Sequence, residues 1–172
     1  MRLAIVLAVC AAPAFASLWQ MEGFDATTTN WETVTDRVMG GASSGALQIE
    51  GGTLTLTGTL RNGRGNFVMA RRMMPGGLPH DTTAIHVRLR GSAAAIQIIL
   101  RTASAAHPSR VYTATLPATR NWDTHRVALS DFAQQSGYLA PVPRPGDIES
   151  FGIAAVNGSG PIWIEIDEII LD

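Results

Sequence analysis

Between Thr53 and Leu60 threonines alternate with apolar residues, so that Leu54, Leu56 and Leu60 share one face and the hydroxyls share the other. A period of two is the pattern of a strand with one buried face. The same rhythm predicts strands over residues 84–90, 95–101, 111–116 and 162–166. Between them stand Asn62-Gly63, Pro75-Gly76-Gly77, Gly91-Ser92, Pro145-Gly146 and Asn157-Gly158-Ser159-Gly160. These residues accept positive φ or fix the direction of the chain. Short strands punctuated in this way predict an all-β antiparallel sandwich. The best helical stretch is residues 130–135, where Ser130 could cap one turn. Parallel strands need crossovers of a dozen or more residues, for which the spacing leaves no room, and this argues against Rossmann and hydrolase folds. Residues 138–146, with three prolines, predict a long irregular loop.

Composition narrows the chemistry. Of 172 residues, 13 are Lys or Arg and 14 are Asp or Glu, for a net charge of −1, which points away from nucleic-acid and polyanion partners. Every one of those cations is arginine, which removes Schiff-base and P-loop lysines. Met1-Arg2, an apolar run over residues 3–12 and then Ala14-Phe15-Ala16 read as a secretory signal at 1–16, with a mature start near Ser17. The run is shorter than the roughly 20 apolar residues needed to span a bilayer, so no transmembrane segment is expected in the mature chain. A lipoprotein reading of Leu7-Ala8-Val9-Cys10 is the weaker alternative, because Val9 is bulky and a better cleavage site follows. The expectation is one exported domain over 17–172, periplasmic and free of cysteine, without thiol catalysis, disulfides or cysteine-bound zinc.

Several residues are candidates for chemistry. Gly41-Ala42-Ser43-Ser44-Gly45 matches the G-x-S-x-G of hydrolases, but the helix that a nucleophile elbow needs is missing. His80, His86, His107 and His125 are scattered without metal-ligand spacing, and His86 reads as a solvent-face residue. Glu165 and Asp167 share a strand face about 6.6 Å apart, the minor reading being a glycosidase pair. Asp167 could instead join Glu22 and Asp25 around a calcium ion, with oxygen ligands suited to it. His86, Arg88 and Arg90 would continue onto Gln97 and Arg101 as one cationic face if those two strands pair. Trp163 alternates with inward isoleucines and so faces outward, a single aromatic candidate for a sugar.

The stretch from Asn30 to Gly45 has neither strand nor helix period and reads as a shaped loop. Its Trp31, then Thr35-Asp36-Arg37-Val38-Met39-Gly40-Gly41-Ala42-Ser43-Ser44-Gly45, resembles the signature of the complex I intermediate-associated protein 30 family. Gly52-Thr53-Leu54 with Gly58-Thr59-Leu60, Asn66-Phe67 through Arg71, Trp122 ahead of residues 127–132, residues 148–153, and Gly160-Pro161 with residues 164–167 follow in family order. Asn66 stands where the family usually shows glycine.

The resemblance implies a galactose-binding-like jelly-roll β-sandwich and a non-enzymatic role without cofactor, since the best-known members help assemble respiratory complex I. The expected function is an exported non-catalytic binding or assembly-factor-like module that recognises an unidentified protein segment or a small polar ligand. Trp31, Asp36, Arg37, Met39, Gly40, Gly41, Ser43, Ser44 and Arg71 are its candidate site, with Asp36 and Arg71 expected to pair beneath the loop, and Trp163 as a further contact. The alternative is a carbohydrate-binding jelly roll or, less favoured, a glycoside hydrolase using Glu165 and Asp167.

Overall fold

A computed structural model describes residues 18–25, 30–63, 65–104, 110–135, 137 and 139–172. The expected secretory segment, Arg64, His107 and Tyr138 lie outside the described residues. Twelve strands are present among the described residues: β1 (Trp19–Glu22), β2 (Trp31–Thr35), β3 (Ser44–Glu50), β4 (Thr53–Leu60), β5 (Phe67–Met73), β6 (Ala84–Ser92), β7 (Ala95–Thr102), β8 (Tyr112–Leu116), β9 (Asp123–Ala128), β10 (Ala133–Gln134), β11 (Ile148–Val156) and β12 (Gly160–Leu171). Among the described residues the other regular pieces are short 3-10 turns, one of them Leu129–Asp131. It takes the place of the helical turn expected from Ser130.

The strands form two six-stranded antiparallel sheets. The back sheet runs β3-β4-β12-β6-β9, with β1 paired to the far end of β12; the front sheet runs β10-β8-β7-β11-β5-β2. Alternation decides what lies between them. The back sheet sends in Leu54, Leu56, Ile85, Val87, Ile164 and Ile166, and the front sheet meets them with Val68, Ile96, Ile98, Leu100, Phe151 and Ile153, all fully buried. Removing such side chains from water is what holds the layers together, at about 25 cal/mol per Å². The fold is the expected antiparallel jelly-roll sandwich.

In β12 the alternation breaks at Asp167-Glu168. The register against β6 shifts between Ile166 and Glu168, and this bulge returns Ile169 and Leu171 to the core.

Two expectations are corrected here. β6 and β7, separated by two residues, do not pair: β6 lies between β12 and β9, and β7 between β11 and β8. Both edges of each strand already have partners. The chain therefore crosses from one sheet to the other, and His86, Arg88 and Arg90 lie on the opposite side of the molecule from Gln97 and Arg101. Trp31 is likewise no loop residue. It begins β2 and is 7% exposed, its ring tilted against Phe24 at 5.7 Å and edge-on to Phe151 at 6.0 Å.

Candidate binding face

The signature loop follows β2 as a single 3-10 turn over Asp36–Met39. Asp36 is 5% exposed; its Oδ1 accepts the Ser43 backbone N–H at 2.9 Å and its Oδ2 accepts the Ser43 hydroxyl at 2.6 Å. The same hydroxyl oxygen accepts the Arg61 backbone N–H at 3.1 Å, tying the loop to the end of β4. Gly40 closes the turn at φ 84°, and Gly41 donates to the Asp36 carbonyl at 2.9 Å. A Cβ on Gly41 would collide with the Asp36 carboxylate. Aspartate, the two glycines and serine thus form one closed fastening. Ser43 is fully buried and engaged, which accounts for the G-x-S-x-G match without a nucleophile.

Asp36 and Arg71 do not pair as expected. Arg71 points outward from β5, and its Nε and Nη2 donate to Glu32 Oε1 at 2.9 and 2.6 Å across the β2–β5 ladder. Its neighbour Arg72, of opposite parity, points inward and forms an ion pair with Glu22, whose side chain is 6% exposed. Arg72 also donates to the Met21 carbonyl at 3.2 Å, and burial lowers its guanidinium below the usual value.

The outer surface of the front sheet carries a cavity of about 380 Å³. Its form follows from register. On β11 the outward positions are Ser150, Gly152, Ala154 and Val156, small residues in the sheet's middle. Ser150 lies between Met73 and Arg101, Gly152 between Arg71 and Ile99, and Ala154 between Met69 and Gln97. Longer side chains on β5 and β7 therefore stand as walls about 10 Å apart, two strand spacings, over a low floor. The result is a trough along β11. A Cβ on Gly152 would meet the Met69 sulfur at 2.5 Å, so the Met69 thioether lies across that floor.

The trough is polar at one end and apolar at the other. Ser150, Arg71, Arg101, Thr113 and Gln135 line the first; Phe67, Met69, Val156, Val38 and Met39 line the second. Val38 and Met39, 70% and 57% exposed, are held at the rim by the Asp36–Ser43 fastening. Asn66 borders both this trough and a smaller cavity of about 220 Å³ beneath the loop. Its Nδ2 donates to the carbonyls of Arg61 at 2.5 Å and Gly158 at 2.6 Å, while its buried Oδ1 has no hydrogen-bond partner among the described residues.

The candidate residues are thus dispersed. Met39 and Arg71 line the trough; Arg37, Gly40, Gly41 and Ser44 are exposed or half-buried around the fastening; Asp36 and Ser43 form it; Trp31 is core. Trp163 is half-buried on the outer face of the back sheet, away from them. Sequence reading missed Asn66, Phe67, Met69 and Gly152. One signal was available, the alternation of small with large residues in Ser150-Phe151-Gly152-Ile153-Ala154.

The carboxylate pair of β12 also has a different setting. Glu165 accepts from Arg90 Nε at 2.5 Å and Asp167 is paired with Arg88, while both guanidinium groups stack over Trp122 at 4.8 and 5.0 Å. Of the residues named as possible calcium ligands, Asp167 thus answers Arg88 and Glu22 answers Arg72. Among the described residues no cluster of three or more His, Cys, Asp or Glu is placed to hold a metal. His86 is not a free solvent-face histidine, since its Nε2 lies 3.0 Å from Asp172 Oδ2. No helix among the described residues is long and apolar enough to cross a membrane.

Two packed antiparallel sheets in this arrangement are the class of fold, the jelly-roll sandwich, seen in carbohydrate-binding modules. The structure is similar to the family 11 carbohydrate-binding module from Clostridium thermocellum in complex with a β-1,3-1,4-mixed-linked tetrasaccharide, with a TM-score of 0.72 at 14% identity over 90% of this chain and 94% of that one. A family 29 carbohydrate-binding module gives 0.56 at 9% identity, over 90% of this chain and 87% of that one. An agarase gives 0.64 at 6% identity over 91% of this chain and 25% of the agarase. At these identities the likeness is one of fold, the galactose-binding-like jelly roll. No curated protein sequence matches the chain. The sequence profile described as Complex I intermediate-associated protein 30 matches residues 19–166, and the chain belongs to that family.

Proposed function

We propose that the chain is an exported, non-catalytic binding module whose front-sheet trough takes an extended saccharide. The observation that carries this reading is the small-residue floor of β11 between walls that bear Arg71, Gln97 and Arg101. Planar guanidinium and amide forks match the vicinal hydroxyls of a sugar ring, and Met69, Ile99 and Phe67 offer apolar surface to its C–H faces. A volume of about 380 Å³ suits a few rings. The likeness of fold to a module solved with a tetrasaccharide supports it, and the secretory pattern at 1–16 supports export to where such ligands are met. Glu165 and Asp167 engage arginines on the other sheet, outside the trough. Affinity electrophoresis against neutral and acidic polysaccharides tests the reading. At least one should retard the folded protein, and Gly152→Leu, which fills the floor from an outward position, should abolish retardation. Silence across all of them, or retardation indifferent to Gly152→Leu, refutes the proposal.

A second reading, an assembly-type module that holds a segment of a protein partner, is favoured by one observation. Val38 and Met39 are large apolar side chains kept in solvent by a buried fastening, a costly arrangement unless something covers them. A pull-down from periplasmic extract that depends on both residues distinguishes it from the first.

A further inference from the structure

We infer that the saccharide taken by the trough carries an apolar substituent, an alkyl or acyl chain, which lies along the end of the trough away from Ser150. This rests on the saccharide reading above and names its ligand class. The solvated face of an antiparallel sheet is ordinarily polar. Here it holds a second hydrophobic cluster, separate from the core. Met69, Ala154 and Val156 are its buried members, at 8%, 0% and 6% exposure, and Val34, Phe67 and Ile99 are among those that pack around them. Register makes the cluster one strip. Val34, Met69 and Ala154 form a row across β2, β5 and β11, and Phe67, Val156 and Ala95 form the next, about 7 Å further along.

The strip continues past the last strand pair. β2 pairs Thr35 with Val68, so the 3-10 turn that follows starts beside Phe67 and carries Val38 and Met39 onward into solvent. Both line the same cavity as the strip. An apolar surface held in water by buried hydrogen bonds is unfavourable until something covers it. The opposite end of the trough calls for different chemistry. Ser150, Thr113, Gln97 and Gln135 offer hydroxyls and amides there. Arg71 is already held by Glu32 and Arg101 is engaged as well, so this end presents hydrogen-bonding groups without unpaired charge. One molecule that fills both ends must be polar at one and apolar at the other. A sugar ring meets the first requirement, but hydroxyls surround its C–H faces. A hydrocarbon chain attached to it meets the second.

Titration calorimetry on the folded protein tests the inference, with glucosides and galactosides whose alkyl chain grows from methyl to octyl, kept below their micelle concentrations, beside the free alcohols. Affinity should rise about threefold or more with each methylene until the chain passes Met39. Each glycoside should bind more tightly than the alcohol of its own chain length. Val38→Ser with Met39→Ser, both at exposed positions, should flatten the dependence on chain length. Arg88→Gln, on the other sheet, should leave it unchanged. Unsubstituted oligosaccharides that bind while a chain adds nothing, or a chain-length dependence that survives the double replacement, overturn the inference and leave the saccharide reading standing. Alcohols that bind as tightly as their glycosides overturn both, because the sugar then contributes nothing. Binding of an apolar peptide with silence from every glycoside and oligosaccharide assigns the trough to a protein segment and likewise refutes both.

Discussion

Ser43 gives both of its donors to Asp36, the backbone N–H to Oδ1 at 2.9 Å and the hydroxyl to Oδ2 at 2.6 Å, across seven residues of loop. That relationship explains why the family signature joins an aspartate, two glycines and a serine. It also predicts how the loop fails. Ser43→Ala leaves a buried carboxylate short of one donor and the Arg61 N–H without its acceptor, a loss of about 1–3 kcal/mol. Asp36→Ala should cost a similar amount, and the double replacement less than the sum, because both act on one fastening. Urea denaturation of the four proteins measures it; strict additivity would contradict the shared fastening.

Glu22 and Arg72 form a buried ion pair. With Glu22 6% and Arg72 19% exposed, removing one partner strands the other charge, and Glu22→Gln should destabilise by about 3–5 kcal/mol. Arg71→Gln breaks a pair exposed at 32% and 52%, and should cost no more than about 1 kcal/mol. Thermal unfolding of the two variants side by side should therefore separate neighbouring arginines by several degrees.

Asp172 has a lowered pKa. Its hydrogen bond with His86 is the largest cause, opposed by burial and aided by Thr83 and Arg126. A carboxylate whose folded value lies below its unfolded one contributes stability above the unfolded value. That contribution is lost as the pH falls below 3.8 and through the lowered folded value. Asp172→Asn should thus be less stable than the parent at neutral pH, and the two should converge in acid. Unfolding midpoints measured across that range check the sign; a difference that grows in acid would contradict it.

Trp163 belongs to the outer face of the back sheet, opposite Thr57 and Ser92. If the trough is the binding face, Trp163→Ala should leave saccharide affinity unchanged within about twofold, whereas Gly152→Leu removes it. Loss of binding in Trp163→Ala with the fold intact would move the site to the other sheet.

Much of this was legible in local pattern. The pattern predicts the strand Thr53–Leu60 with the limits it has in the structure, because a half-buried strand with alternating chemistry carries its own register. For β12 the alternation predicts residues 162–166, with Asp167 continuing the face of Glu165, and goes no further, since Asp167-Glu168 breaks the period and a bulge looks like an end until the core beyond it is seen. Trp31 reads locally as a loop residue because its burial comes from Phe24 and Phe151, seven residues behind and 120 ahead.

What the sequence by itself determined is the class of fold, the family and the faces of most strands, because alternation, turn chemistry and a contiguous signature are local. Which strands become neighbours was decided by the tertiary structure. Pairing is settled by edges already occupied, as with β6 and β7. The trough depends on that decision, for Arg71, Gly152 and Arg101 come from three strands and meet only when β11 settles between β5 and β7. The partner of each charge was decided there too, since one step along β5 turns Arg71 toward solvent and Arg72 toward Glu22.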